Sequence, residues 1–292
     1  AETLASNCYY GMFQGCTSLT TSPEFPSISL MILSNSCYSY MFSGCSSLTT
    51  APVLTATTLS NSCYSYMFQG CTSLTTTPEL PAETLADSCY DYMFSGCESL
   101  TEAPELKVTT LADSCYRGMF YGCTSLTTAP KLPATILKEN CYYGMFQGCT
   151  NLIIPPVLPA IELVNGCYSY MFNGCTNLDY IKCLATNITD SESIYTYCWV
   201  ENVAENGLFV KNVDVNWERG IHGIPIKWEV EDLCEVIFTA EAPNSKIGFK
   251  TISKNQEKLQ YRRTYDDTSD WEDITTRTVI TLKNVGDRVY MR

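Results

Sequence analysis

Histidine is almost absent from this chain: there is one, His222, in 292 residues. Catalytic schemes that pair a serine or cysteine with an imidazole base would have to use it, and it stands in a loop-like stretch, GIHGIP. Basic residues are scarce as well. The net charge is −13 and no lysine–arginine cluster occurs, which argues against nucleic acid, because binding phosphates needs clustered cations. No glycine-rich phosphate loop is written here, and no run of eighteen apolar residues that would span a membrane. A leader peptide is also missing. The first residues, AETLASNCYY, already lie inside the pattern described below, so residue 1 reads as a processing boundary and carries no information on export. Charge is thin where the chain begins: residues 1–182 hold 13 acidic and 5 basic side chains, residues 183–292 hold 18 and 13. All four tryptophans, Trp199, Trp217, Trp228 and Trp271, fall in the second stretch. That shift in composition predicts a boundary near residue 183.

What the chain has instead is cysteine, tyrosine and repetition. Cys8, Cys37, Cys63, Cys89, Cys115, Cys141 and Cys167 are spaced by 29 once and then by 26. A second set, Cys16, Cys45, Cys71, Cys97, Cys123, Cys149 and Cys175, keeps step, as do columns of phenylalanine (Phe13 to Phe172), glycine (Gly15 to Gly174) and leucine (Leu19 to Leu178). A fixed period of this size predicts a solenoid whose units bury their apolar faces against one another. Within ETLADSCYDYMFSGC (83–97), Leu85, Cys89, Met93 and Cys97 recur every four residues, with Tyr90 and Phe94 beside them. This predicts a short helix, with Thr84 or Asp87 as its cap and Gly96 at its end. The other half, SLTEAPEL (99–106), reads as a short strand followed by a proline turn.

The segment Met41-Phe42-Ser43-Gly44-Cys45-Ser46-Ser47-Leu48 resembles the Ala-Phe-x-x-Cys-x-x-Leu signature of the BspA-type (Treponema-type) leucine-rich repeat, with Met for the usual Ala, and all seven units match in this way. The period is 26 residues where the family unit has about 23, and the extra residues lie in turns such as LPAETLA. Similar units occur in proteins of gut Bacteroidetes. The resemblance implies an α/β leucine-rich repeat solenoid of short parallel strands and short helices, on bacterial surface proteins that include adhesins.

Three chemistries compete for the paired cysteines. On one helix they would lie roughly 12 Å apart along the axis, and on neighbouring helices roughly 8–10 Å; a disulfide needs Cα atoms within about 7 Å. Zinc wants four close ligands, usually from C-x₂₋₄-C pairs and histidine. The plainest reading is a small buried filler, which the resemblance also implies, since its repeat cysteine is a core position. The tyrosines that follow the first cysteines, Tyr38 to Tyr168, read as a half-buried structural row, or else as an exposed binding row.

Residues 183–230 read as a divergent eighth unit and a cap, with Cys198, Trp199 and Val200 near the places of Cys, Met and Phe. GIPIKWEV resembles the segment that closes such repeats. Cys183 and Cys198 could pair, and Asn187-Ile188-Thr189 spells a glycosylation sequon. Residues 231–292 alternate strand-like runs with turn sequences and predict a small all-β, sandwich-like domain. QYRRTYDDTSDWEDI within it resembles immunoglobulin-like surface modules.

Functionally, no catalytic group, cofactor or metal ligand is expected. The expectation is a non-enzymatic binding or adhesion protein, at the cell surface or secreted, presenting one solenoid face to a host or matrix protein or to a glycan. The candidate ligand face is the row on the concave strand side, Thr50, Thr76, Glu102, Thr128, Ile154 and Tyr180. The alternative is a structural stalk, or an accessory component of a surface glycan-handling system. A binder varies its exposed strand residues between units and a stalk does not; here threonine dominates until Ile154.

Overall fold

The computed structural model describes residues 4–24, 33–188, 194–213 and 215–233, and the backbone of six short strands beyond 235. It divides into two compact units, Ala1–Glu231 and Asp232–Arg292. The first is a stack of coils, numbered here by their phenylalanines from Phe13 (coil 1) to Phe172 (coil 7), with an eighth around Trp199. Among the described residues there is no helix, so the predicted helices are corrected.

The segment read as helix is a run of overlapping turns. In coil 2 the N–H groups of Cys37, Ser39, Met41, Ser43 and Cys45 donate three residues back, to Ser34, Ser36, Tyr38, Tyr40 and Phe42, at 3.0–3.3 Å. The alternate N–H groups, of Ser36, Tyr38, Tyr40, Phe42 and Gly44, donate sideways to carbonyls of Asn61, Cys63, Ser65, Met67 and Gln69 in the next coil. An α-helix closes its hydrogen bonds within itself. This run sends half of them across, which satisfies its buried backbone only when coils stack. Every fourth residue is left-handed: Ser36 at φ 55°, Tyr40 at 57°, Gly44 at 76°. For the non-glycine residues this costs roughly 1–2 kcal/mol each, offset by the lateral bonds. It also explains the stripe. Positions 37, 41 and 45 repeat every four residues without drift because the local period is four rather than 3.6.

Side chains pointing inward form columns. Cys37, Tyr38, Met41, Phe42, Cys45 and Leu48 and their counterparts through coil 7 are buried. Phenylalanine rings stack nearly parallel from Phe13 to Phe172, centroids 5.5–5.9 Å apart. Tyr38 to Tyr168 form a second inner stack, fully buried and not half-buried as the sequence suggested.

Beyond the column leucine the chain extends, and coils meet through parallel bridges in two rows. One joins Thr21 to Thr50, Thr76 to Glu102 and Thr128 to Ile154; the other joins Thr58 to Thr84, and Thr110 to Ile136 to Glu162. The second row was missed by the sequence reading, which made Thr84 a helix cap.

The stack continues into a sheet of β1 (Tyr180–Cys183), β2 (Leu208–Asn212) and β3 (Glu229–Leu233), in that order, with β1 and β2 parallel. Trp199 takes the place of the column methionine: it accepts from Phe172 N–H as Met67 does from Phe42. Its ring stacks on Trp217 at 5.5 Å and meets Phe209 edge-on. Trp228 is buried nearby, its Nε1 donating to Ala204 O at 2.8 Å. Three of the four tryptophans thus plug one end of the core; Trp271 lies outside the described residues.

In the second unit β4 (Val236–Thr239), β6 (Gln260–Arg262), β7 (Glu272–Asp273) and β9 (Arg288–Met291) form an antiparallel sheet in the order β4-β9-β6-β7. β5 (Ser245–Gly248) pairs antiparallel with β8 (Val279–Leu282). The turns expected between these strands, the immunoglobulin-like stretch included, lie largely outside the described residues.

Candidate binding face

The strand row predicted as a ligand face is brought together. Thr50, Thr76, Glu102, Thr128 and Ile154 are exposed, and Tyr180 is half-buried at the start of β1, opposite Leu208 of β2. Each follows a buried leucine, from Leu48 to Leu178, that anchors it. The neighbouring row, Thr49, Thr75, Thr101, Thr127, Ile153 and Asp179, is exposed too. Thr49 and Thr101 turn their hydroxyls onto the carbonyls of Thr20 and Thr75, so part of the threonine ladder serves the coils themselves. The break comes in coil 6. Ile153 and Ile154 expose 53% and 57% of their surface where coils 2 to 5 carry Thr or Glu. Apolar β-branched residues at positions otherwise held by threonine gain nothing from water.

The opposite kind of surface covers the turn-runs. Tyr10, Tyr40, Tyr66 and Tyr92 follow one another along it at 5.4, 4.6 and 5.2 Å, the last two pairs stacked and the first tilted. Arg117 Cζ sits over the Tyr92 ring at 5.7 Å, and the row resumes with Tyr143, Tyr170, Tyr197 and His222 at 5.3, 5.4 and 4.8 Å. Two adjacent columns share the task. Where the left-handed position is Tyr (Tyr40, Tyr66, Tyr92, Tyr170), the residue before it is Ser or Asp; where it is Gly (Gly11, Gly118, Gly144), the residue before it is Tyr or Arg. A Cβ on Gly118 would overlap the Tyr92 ring. From Tyr40 to Tyr92 the rings lie face to face and offer edges and hydroxyls, while Tyr10–Tyr40, Tyr143–Tyr170 and Tyr170–Tyr197 meet at 48°, 52° and 64°. Arg117 also clasps Asp91 with two bonds, Nε to Oδ1 at 2.8 Å and Nη2 to Oδ2 at 2.7 Å. Burial nevertheless pushes the Asp91 carboxyl up, with Arg117 opposing. This outer row was invisible to the reading that followed the cysteines; the Tyr–Gly exchange between columns was its signal.

The cysteines resolve into packing. The lateral ladder holds coils at strand spacing, about 4.8 Å, so the separation expected between packed helices does not apply and distance alone does not forbid bridges. Even so, all 16 described cysteines, Cys183 and Cys198 among them, are free thiols. The second column has a job: Cys45, Cys71, Cys97, Cys123, Cys149 and Cys175 each donate Sγ–H to the phenylalanine carbonyl of the preceding coil at 3.0–3.2 Å. Burial pushes Cys37 up to about 11 and Cys63, Cys71, Cys141, Cys149 and Cys183 to about 12. These thiols stay protonated and unreactive. Among the described residues no group of three or more His, Cys, Asp or Glu is arranged to hold a metal, and no helix is long and apolar enough to cross a membrane.

His222 belongs to the cap. Its Nδ1 accepts from Cys198 N–H at 2.8 Å, and its carbonyl accepts from Thr196 Oγ1 at 2.7 Å. Beside it, Ile221 O takes Val200 N–H and Gly223 O takes Trp199 Nε1–H.

A stack of repeated coils with short parallel strands, closed by an aromatic plug, is a solenoid of the leucine-rich kind. The model of the BspA-type leucine-rich repeat region matches residues 5–118 and 114–207, in six copies, and the chain belongs to that family. No curated protein and no solved structure matches it.

Proposed function

We propose that the chain is a non-enzymatic binding protein, secreted or held at a cell surface, that takes a partner protein on the strand row from Thr50 to Tyr180. One observation carries the reading: the exposed row changes from threonine to Ile153 and Ile154 and runs on into Tyr180. Threonines, with Glu102 among them, give a polar approach, and the apolar end provides desolvation energy, the pattern of a polar rim beside an anchor. Family membership supports a surface role, since BspA-type repeats are typical of surface-associated proteins. The test is capture of host matrix proteins and glycans on the immobilised chain, repeated with Glu102→Ala, Ile154→Asp and Tyr180→Ala. Retention of a protein by the native chain, lost in Ile154→Asp, supports the reading. Retention of nothing favours the stalk, and retention of glycans alone favours the accessory role in glycan handling.

A further inference from the structure

A second site opens on the proline side of the solenoid. Residues 77–83 of coil 3 and 104–110 of coil 4 enclose a groove of about 670 Å³. Its cause can be read from the columns. The segments LTATTL, LPAETL, LPATIL and LPAIEL place a buried alanine third: Ala56, Ala82, Ala134 and Ala160. Coil 4 alone reads LKVTTL, with Val108 in that slot, and Val108 is only half-buried. Valine carries two more methyl groups than alanine, too many for a pocket of alanine size. No parallel bridge joins Thr84 to Thr110, though Thr58–Thr84 and Thr110–Ile136 are present on either side; the other row likewise skips Thr50–Thr76 and Glu102–Thr128. No backbone hydrogen bond crosses between 77–84 and 103–110 among the described residues, nor between 103–110 and 129–136, and the groove lies at the first of these gaps.

The two lips leave backbone N–H and C=O groups without a hydrogen-bond partner across the groove. Exposed Glu79 and Glu83 line one; on the other, Lys107 is already paired with Glu105, Nζ to Oε2 at 3.1 Å. No described cation pairs with Glu79 or Glu83. We propose that this groove binds an extended, lysine- or arginine-bearing peptide. Its backbone supplies the hydrogen bonds the two coils do not give each other, and its cations meet Glu79 and Glu83. The site is separate from the strand row, whose Glu102, Ile154 and Tyr180 do not line it.

The probe is a blocked six-residue peptide alternating lysine and valine, titrated by calorimetry against the whole chain. Saturable binding is expected, weakened at least threefold by Glu79→Gln with Glu83→Gln and left unchanged by Glu139→Gln outside the groove. The decisive variant, Lys107→Pro with Val108→Ala, rewrites coil 4 as LPATTL, the chain's own pattern, and so is expected to fold. It should close the groove and lower affinity at least tenfold. Unchanged binding in that variant overturns the proposal. So does equal binding of a glutamate–valine peptide, or the lack of any saturable binding; displacement of the peptide by a neutral oligosaccharide would make the groove a sugar site instead.

Discussion

At the scale of the residue, cysteine shows how a side chain's meaning depends on its neighbours. A pair eight apart suggests a staple or a metal clamp. Repeated in register, it becomes two columns of buried thiols, one of them donating to phenylalanine carbonyls. Two measurable consequences follow. Cys8 and Cys16 are exposed and the other 14 described cysteines are buried. Brief alkylation of the native chain, read by mass spectrometry, should modify Cys8 and Cys16 among these 16, and the rest only after unfolding. The second is pH. The folded thiols are raised from 9.0 to about 11 for Cys37 and about 12 for Cys63 and Cys71, so they hold protons that the unfolded chain releases. Their contribution to stability is whole below pH 9 and is lost as pH rises from 9 toward 12, at up to about 1.4 kcal/mol per pH unit per thiol. Urea unfolding at pH 7, 9 and 10.5 should show a midpoint that falls steeply across the last interval; a flat profile would mean that the thiols are not held away from water.

At the scale of the element, the columns and the strand row were legible in the sequence and the turn-run was not. Period and column identity depend only on which residues recur, so the core list from Cys37 to Leu48 could be read directly. The backbone could not, because Leu85, Cys89, Met93 and Cys97 satisfy an i, i+4 test equally as a helix stripe and as a four-residue turn repeat. The discriminating residues were Asn7, Asn140 and Gly166 in the column of Ser36, and Gly11, Gly118 and Gly144 in the column of Tyr40. Residue types tolerant of positive φ recur there at a spacing of four that no helix interior requires. The strand row Thr50 to Tyr180 was recovered because it follows the leucine column directly; the groove at Val108 was not, since it depends on one alanine slot being overfilled. The cap offers the test at this scale. His222→Ala removes the acceptor from Cys198 N–H and a ring stacked on Tyr197, and should cost about 1–3 kcal/mol. Urea unfolding followed by tryptophan fluorescence reads it, because Trp199 and Trp217 lie in the same plug.

At the scale of the molecule, each coil touches only its neighbours, so stability is close to a sum of units and interfaces. Excision of residues 79–104 joins Pro78 to Glu105 with every column kept in register. The shortened chain should fold, with a urea m-value lower by about a tenth, in proportion to the surface removed. Failure to fold would show that coil 4 is a keystone and not an interchangeable unit.

The sideways bonds of the turn-runs also share one direction. From coil 1 to coil 7, each alternate N–H points toward the higher-numbered coil and each accepting carbonyl toward the lower. Peptide dipoles aligned in this way add, as they do along a helix axis. The turn-run face is therefore electrically polar along the stack, with its positive pole at coil 8, while strand-side N–H groups such as those of Thr49, Thr101 and Ile153 donate the other way. There the cap meets it with the carbonyls of Ile221 and His222 and an imidazole lone pair, ending the electrical asymmetry and the hydrophobic core at one place.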